Sequence, residues 1–203
     1  MDLDRTAHWE KVYETKAPSQ VSWTQEYPKT SFEIIQSFEL PKTSKIIDVG
    51  GGDSKLVDCL LDAGYEDITV LDISEKALLR AQKRLGDKAS KVNWVVSDIT
   101  TFKPDRPFDV WHDRAAFHFL TEAEQISQYV ALASSCVKGY LSVGTFSKQG
   151  PVKCSGLNIS QYSEEELVSV FSSRFHLLDS KIEDHKTPFD TLQNFLFCSF
   201  KKK

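Results

Sequence analysis

Three acidic residues stand where apolar runs of strand length end: Asp48, Asp72 and Asp98. About one strand-helix unit separates each of them from the next. In a doubly wound sheet, ligands bind outside the carboxyl ends of the strands, so these carboxylates are expected to face one crevice. The spacing therefore predicts a binding site for a ligand that tolerates nearby negative charge.

A glycine-rich turn comes after the first of these acids. Gly50 and Gly52 allow the backbone to approach a ligand closely, and the turn opens a helix whose N-terminal amides point at it. A dinucleotide site would need G-x-G-x-x-G here, but Lys55 stands in place of the third glycine, and Asp48 would lie close to a pyrophosphate. A P-loop would need G-K-[ST], which the sequence lacks. S-adenosylmethionine has no phosphate and carries a sulfonium and an ammonium, so the turn favours it over a dinucleotide.

Two titratable residues, His112 and Asp113, come at the end of the fourth predicted strand. Methyl transfer depends on positioning, with a base added where the acceptor must lose a proton. An imidazole has a suitable unperturbed pKa for that role. We predict His112 and Asp113 as the catalytic candidates. Two other roles stay open for Asp113: an ion pair with Arg114, or a hydrogen bond to the ammonium of the donor.

The elements that must position these residues alternate between strand-like and helix-like patterns, which predicts a parallel sheet flanked by helices. The predicted strands are 45–49, 68–71, 92–96, 108–112, 140–146, 175–182 and 194–200. The predicted helices are 54–63, 74–85, 122–137 and 164–172, with two more around 6–14 and 30–38. Helix 122–137 is expected to turn Ile126, Val130 and Leu132 inward. The segment 147–162 is long for a connector, which is typical of a functional loop.

The cysteines do not indicate a metal site or a disulfide framework. Cys59, Cys136 and Cys198 occur in apolar surroundings and are predicted to be buried, whereas Cys154 is predicted to lie in the 147–162 loop, away from the core.

Length and composition indicate one globular domain over residues 1–203. The chain is 40% hydrophobic and 27% charged, and its net charge of −4 disfavours a dedicated nucleic-acid binder. Neither a signal peptide nor a membrane-spanning run is evident, so we expect a cytoplasmic location and no membrane partner. The oligomeric state is not indicated.

Asp48-x-Gly50-x-Gly52 resembles the first motif of the class I S-adenosylmethionine-dependent methyltransferases, D/E-x-G-x-G-x-G, with Ser54 in place of the last glycine. The resemblance spans roughly residues 44–200. It implies an α/β fold with a doubly wound, mostly parallel seven-stranded sheet, helices on both faces and an antiparallel terminal strand pair. It also implies that Gly50 and Gly52 lie against the methionine part of the donor, with Asp48 near its ammonium.

The same resemblance assigns the rest of the donor site. It implies that Asp72 holds both ribose hydroxyls and that Ile73 packs beside the adenine. Asp98 would accept a hydrogen bond from the adenine amino group, with Ile99 flanking the ring.

Residues 1–40 form a helical, aromatic extension that carries Trp9-x-x-x-Tyr13. In many small class I enzymes such a leader closes the site, and a tryptophan face beside a sulfonium gains from cation–π attraction. The alternative, a helix that packs these aromatics on the sheet, is compatible with this role.

The residues at the end of the fourth strand bear on the acceptor. Base methyltransferases carry N/D-P-P-Y/F there, and its absence disfavours nucleic acid. The segment is more similar to the Trp-Asp-Arg stretch of thiopurine-methyltransferase-like enzymes, with His112 inserted between Trp111 and Asp113. We predict a methyltransferase acting on a small molecule. The alternatives are a protein (lysine) methyltransferase and a catalytically silent S-adenosylmethionine-binding module.

Overall fold

The computed structural model describes residues 4–203, so the first three residues of the predicted extension lie outside the described part. Seven strands form one sheet in the order β3-β2-β1-β4-β5-β9-β8. Their bounds are β1 Lys45–Val49, β2 Asp67–Asp72, β3 Val92–Val96, β4 Phe108–Arg114, β5 Val137–Phe146, β8 Phe175–Lys186 and β9 Leu192–Lys202. Strands β1 to β5 are parallel, and β9 runs antiparallel to both β5 and β8. The predicted fold class and the antiparallel terminal pair are confirmed.

Six α-helices surround the sheet: α1 Arg5–Thr15, α2 Lys29–Ser37, α3 Leu56–Asp62, α4 Glu75–Leu85, α5 Ala123–Cys136 and α6 Glu164–Phe171. On one face, α2, α3 and α4 pack against side chains such as Ile46 and Val110. On the other face, α5 and α6 pack against side chains such as Ile47 and Trp111. Each strand sends alternate side chains to opposite faces, and both faces are covered, so four of the five residues of β1 are buried. No helix within residues 4–203 combines the length and apolarity that a bilayer crossing requires.

The inward face of α5 differs from the prediction. Tyr129, Ala133 and Cys136 are its buried residues, whereas the predicted Ile126, Val130 and Leu132 are only partly buried against the same core. Two buried hydrogen bonds orient the helix, because the Tyr129 hydroxyl accepts from Trp111 Nε1 and donates to Asp113. A polar aromatic residue therefore defines the buried face.

The 147–162 segment is more ordered than a loop. It contains two short antiparallel strands, β6 Lys153–Cys154 and β7 Leu157–Asn158. Cys154 is buried in an apolar cluster with Phe146, Phe195 and Phe197, so the prediction that it lies away from the core was wrong. The hairpin folds back onto the end of the sheet, which brings the thiol into contact with β5 and β9. Cys136 and Cys198 are buried as predicted, and Cys59 is half-buried.

Candidate active site

A cavity of about 340 Å³ opens at the carboxyl ends of the parallel strands. Its wall is built from the ends of β1, β2 and β4, the segment after β3, and helix α1. The predicted site residues that line it are Trp9, Tyr13, Asp48, Gly50, Asp72, Ile73, Asp98, Ile99 and His112. The two predicted residues outside its lining are Gly52 and Asp113. Residues far apart in the sequence thus converge where the strand-end acids predicted a crevice.

The glycine turn is locked onto strand β2. The amides of Gly50 and Gly51 donate to the carbonyl of Leu71 at 2.8 and 3.1 Å. Gly50 and Gly52 have φ values of +66° and +47°, a region that residues with a Cβ rarely adopt. A Cβ on Gly52 would lie 2.7 Å from the Tyr13 hydroxyl, so only glycine leaves room for α1 to approach. The turn is therefore a tight cradle between β1 and the N-terminal helix.

Asp72 presents a buried carboxylate to the cavity. It is 6% exposed, and its Oδ1 accepts the Ser74 amide at 2.8 Å. Burial raises its pKa to about 7, and the nearby Asp53 and Asp48 charges act in the same direction. Such a carboxylate gains from ligand hydroxyls that donate to its charged form. The buried Asp72 carboxylate is therefore suited to its predicted role as the acceptor of hydrogen bonds from ribose hydroxyls.

Asp98 lies just after β3, beside the same cavity. Its Oδ1 accepts the backbone amide and the hydroxyl of Thr100, both at 2.8 Å, which fixes the carboxyl group in a turn. Ile73 and Ile99 add apolar surface to this part of the wall. An acidic group and two branched aliphatic side chains in one cavity wall suit a flat heterocycle with an amino group.

His112 and Asp48 form a buried pair in the cavity wall. They are register partners on β4 and β1, and Nδ1 of His112 lies 2.7 Å from Oδ1 of Asp48. An ionised carboxylate can only accept, so Nδ1–H donates to Asp48, which leaves Nε2 as the other ring nitrogen. Nε2 has no hydrogen-bond partner among the described residues. The pair thus holds an imidazole with one nitrogen free for an incoming group.

Asp113 occupies the opposite face of the sheet, so its predicted place beside His112 in the site needs correction. Its carboxylate accepts the amides of Ala116 and Phe117, both at 3.0 Å, and the Tyr129 hydroxyl at 2.7 Å. Burial raises its pKa to about 6. Consecutive strand residues point to opposite faces, so a residue next to His112 cannot share its cavity. Neither of the roles left open for it, an ion pair with Arg114 or contact with the ligand, matches these contacts.

Helix α1 closes one side of the cavity with aromatic side chains. The Trp9 ring lies 5.6 Å from Trp23 and 5.2 Å from Phe119 between centroids. Burial raises the pKa of Tyr13 well above its usual value, with the Asp72 and Asp53 charges adding to the shift. The predicted helix that carries Trp9-x-x-x-Tyr13 thus both packs its aromatics and covers the site.

Ionic contacts tie α1 to α4. The Lys76 ammonium lies 3.0 Å from Glu14 and 3.9 Å from Glu10. Arg80 donates to the carbonyls of Tyr13 and Lys16 just past the buried part of α1. Helix α1, which covers the cavity, is therefore joined to α4 by contacts that Lys76 and Arg80 make at the protein surface.

Arg114 is the main site residue that sequence reasoning missed. It lines the cavity two residues after His112, its Nη1 donates to the carbonyl of Trp23 at 3.1 Å, and its guanidinium lies 4.6 Å from the centre of the Phe195 ring. Burial lowers its pKa to about 10, which leaves it cationic at neutral pH. Strand alternation was the available signal, because residues 112 and 114 share a face once β4 extends beyond residue 112. Phe119 and Cys154 also line the cavity and were not predicted.

A metal centre has no ligand set within the part of the chain that the structure describes. No group of three or more histidine, cysteine, aspartate or glutamate side chains comes together there in a way that could hold an ion.

Similarity to known protein sequences covers the part of the chain from β1 to the start of β5. Residues 46–139 match a family described as a methyltransferase domain. Over 122 residues the chain is 29% identical to the eEF1A lysine and N-terminal methyltransferase of Mus musculus, an alignment that covers 59% of this chain and 17% of the mouse protein. The Homo sapiens protein of the same name is 26% identical over 120 residues. The aligned region is thus a small part of these relatives.

Solved structures resemble the chain over nearly its whole length. The N-methyltransferase NodS from Bradyrhizobium japonicum WM9, in complex with S-adenosyl-L-homocysteine, superposes with a TM-score of 0.74 at 15% identity, covering 98% of this chain and 99% of that one. The 1,6-didemethyltoxoflavin-N1-methyltransferase of Burkholderia thailandensis gives a TM-score of 0.72 at 17% identity, covering 98% and 87%. At these identities the likeness is one of fold.

Proposed function

We propose that this chain, whose residues 46–139 match a methyltransferase-domain family, transfers a methyl group from S-adenosylmethionine to a small-molecule acceptor. The donor, when bound, supplies a methyl group on a positively charged sulfur. The observation that carries the proposal is the Asp48–His112 pair, which places an imidazole in the wall of the donor cavity.

The described residues fit this donor. Asp72 would accept the ribose hydroxyls, because its carboxylate is buried in the cavity lining, where its Oδ1 is fixed by the Ser74 amide. Asp98 would accept from the adenine amino group, between Ile73 and Ile99.

The methionine part would lie at the glycine cradle. Gly50 and Gly51 line the cavity at this turn, so their backbone is accessible to a ligand there. Asp48 would attract the ammonium. Trp9 and Tyr13 would cover the bound molecule from the side of α1.

His112 is suited to take a proton from the acceptor. Asp48 fixes the ring so that Nε2 is the accepting nitrogen, and its charge stabilises the imidazolium that forms. Nε2 would take the acceptor's proton as the acceptor's lone pair bonds to the methyl carbon, and the carbon–sulfur bond would break with its electron pair staying on the sulfur of the departing S-adenosylhomocysteine. Asp113 has no part in this step, because its carboxylate is engaged on the other face of the sheet.

The enclosed shape of the site supports a small acceptor. Trp9, Trp23 and Phe119 pack edge to face over the cavity, leaving a volume suited to a compact molecule rather than an extended chain. Two proteins with similar folds, NodS and the toxoflavin enzyme, are themselves described as N-methyltransferases.

A protein acceptor is the second candidate function. It is favoured by the 29% identity to a eukaryotic protein described as a lysine and N-terminal methyltransferase. A side chain from another protein would have to enter past the aromatic cover formed by Trp9 and Trp23.

Two measurements test the proposal. Isothermal titration with S-adenosylhomocysteine should show saturable binding by the folded chain, and a failure to bind would remove the proposed function. Incubation with methyl-labelled S-adenosylmethionine and a cell extract should then place the label in the small-molecule fraction. Label in a protein band would favour the second candidate, and donor binding without transfer to any fraction would favour a silent binding module.

A further inference from the structure

One edge of the Arg114 guanidinium has no partner. Nη1 donates to the Trp23 carbonyl, whereas Nε and Nη2 are buried and make no hydrogen bond to any described residue. No carboxylate of residues 4–203 lies within ion-pair distance of this group. Leaving two charged donors unpaired in a protein interior is costly unless a ligand satisfies them.

The groups around Arg114 leave its charge largely uncompensated. The acids that act on it are Glu183, whose carboxylate is engaged by the Thr30 hydroxyl and the Lys181 ammonium, and Asp48, whose carboxylate is bound to His112. Cys154 also faces it, but burial raises the pKa of that thiol to about 12, so it is neutral. Arg114 therefore stands in the cavity wall without an ion-pair partner among the described residues, and its Nε and Nη2 make no hydrogen bond.

Charge is divided along the cavity. Asp48, Asp72 and Asp98 lie on the side assigned to the donor, and Arg114 lies beyond them, past His112 on β4. Ser31 adds a second unpaired donor to the lining, because its hydroxyl is buried without a partner among the described residues. Lys55 and Arg84 also line the cavity but are paired with Glu26 and Asp58, whereas Arg114 has no carboxylate of the described residues within ion-pair distance.

We propose that the methyl acceptor carries a carboxylate, which binds the Nε–Nη2 edge of Arg114. This inference rests on the proposed function and names the class of acceptor. The two N–H groups on one edge of a guanidinium are parallel and match the two oxygens of a carboxylate. Ser31 supplies a further hydroxyl to the same lining.

The strand sets the size of that acceptor. His112 and Arg114 are two residues apart on the same face of β4, a backbone separation of about 7 Å. The atom that receives the methyl would lie near His112 while the carboxylate is held at Arg114. The aromatic rings of Trp23 and Phe119 would pack against the part of the molecule between them.

A matched pair of probes tests the carboxylate. Phenylacetate and phenylacetamide have nearly the same shape and differ in charge. Each is titrated into the free protein and into the protein saturated with S-adenosylhomocysteine. We expect phenylacetate to bind about ten-fold more tightly than phenylacetamide or better, as one charge-assisted contact implies. Equal affinities in the wild-type protein would overturn the proposal.

Variants assign the preference to one residue. Arg114→Met should abolish the preference for phenylacetate over phenylacetamide. Arg114→Lys should retain only part of that preference, because an ammonium lacks the two parallel N–H groups of a guanidinium. Arg84→Met is the matched control: Arg84 also lines the cavity, but its donors are engaged by Asp58 and by backbone carbonyls, so the preference should persist. A preference that survives Arg114→Met would overturn the proposal.

The donor itself carries a carboxylate, which Arg114 could bind instead of the acceptor. A second comparison distinguishes these two cases. S-adenosylhomocysteine and 5′-methylthioadenosine differ by the amino-acid part. If Arg114→Met weakens the former but not the latter, Arg114 holds the donor, and the proposal is overturned. We expect both affinities to change by less than about two-fold. If the wild-type protein binds neither nucleoside, the proposed function fails, while the phenylacetate preference of the free protein is still decided on its own.

Discussion

Asp48 and His112 face each other across neighbouring parallel strands, as register partners joined by a 2.7 Å contact between Oδ1 and Nδ1. Asp48 is the second-last residue of β1, just before the glycine turn, and His112 lies near the end of β4. The contact therefore connects the donor side of the cavity to the side where an acceptor would be deprotonated. The Asp48 carboxylate therefore contributes both to the donor side and to the orientation of the His112 ring.

Replacing His112 by glutamine should separate binding from turnover. We expect turnover to fall by about 100-fold, because a positioned base contributes on that order, with S-adenosylhomocysteine affinity nearly unchanged. Rates with labelled donor and titration calorimetry measure the two effects. His185→Gln is the control, since His185 contacts the Ser22 carbonyl away from the cavity lining. Unchanged turnover in His112→Gln would show that the acceptor needs no base.

Donor binding should strengthen as the pH rises towards 7. Burial raises the pKa of Asp72 to about 7 in the free protein, and ligand hydroxyls that donate to the carboxylate favour its charged form. The complex therefore binds fewer protons than the free protein, so the dissociation constant should fall with rising pH and level off above about pH 7. Titrations with S-adenosylhomocysteine from about pH 5 to about pH 8 check this. Asp72→Asn should bind weakly and lose the pH dependence; an equally steep dependence in that variant would assign it to another group.

Asp113 should matter for stability rather than for chemistry. Asp113→Ala leaves two backbone amides and the Tyr129 hydroxyl without an acceptor, so we expect the free energy of unfolding to fall by roughly 3 kcal/mol. Asp113→Asn keeps one carbonyl oxygen and should lose less. Urea unfolding measures the change. A large loss of turnover in Asp113→Asn at unchanged stability would restore Asp113 as a catalytic candidate.

Gly52→Ala should damage the donor site through helix α1. The added Cβ would lie 2.7 Å from the Tyr13 hydroxyl and 3.1 Å from Asp72 Oδ2, at a φ of +47°. Donor affinity should fall by about ten-fold or more as α1 is displaced, which the fluorescence of Trp9 would report. Gly64→Ala is a control, since its φ of +85° is similarly strained but its Cβ would meet no neighbour among the described residues. Equal effects of the two variants on donor affinity would attribute the loss to backbone strain alone.

The donor side could be predicted from the sequence because its signals are local. Asp48, Gly50 and Asp72 each stand at a strand end, and the topology of a doubly wound sheet brings such ends together. The acceptor side depends on contacts between distant segments. Arg114 acquires its place from the Trp23 carbonyl and the Phe195 ring, which no local pattern links to it.

The error at Asp113 has a simple physical origin. Predicting β4 to end at residue 112 put the next residue in a loop, where its side chain could turn into the site. The strand continues to Arg114, so a shift of one residue reverses the face. Cys154 was misplaced for a related reason, since a hairpin inside the 147–162 segment folds onto the sheet.

The attachment of α1 to α4 has a consequence for exchange at the site. Lys76 holds Glu10 and Glu14 at the protein surface, and such pairs are weak and screened by dissolved ions. The attachment of α1 also rests on the Arg80 hydrogen bonds and the buried side chains of Val12 and Tyr13, so part of it loosens as ionic strength increases. The residence time of a bound nucleoside should shorten in concentrated salt, even though the carboxylates that hold it are buried.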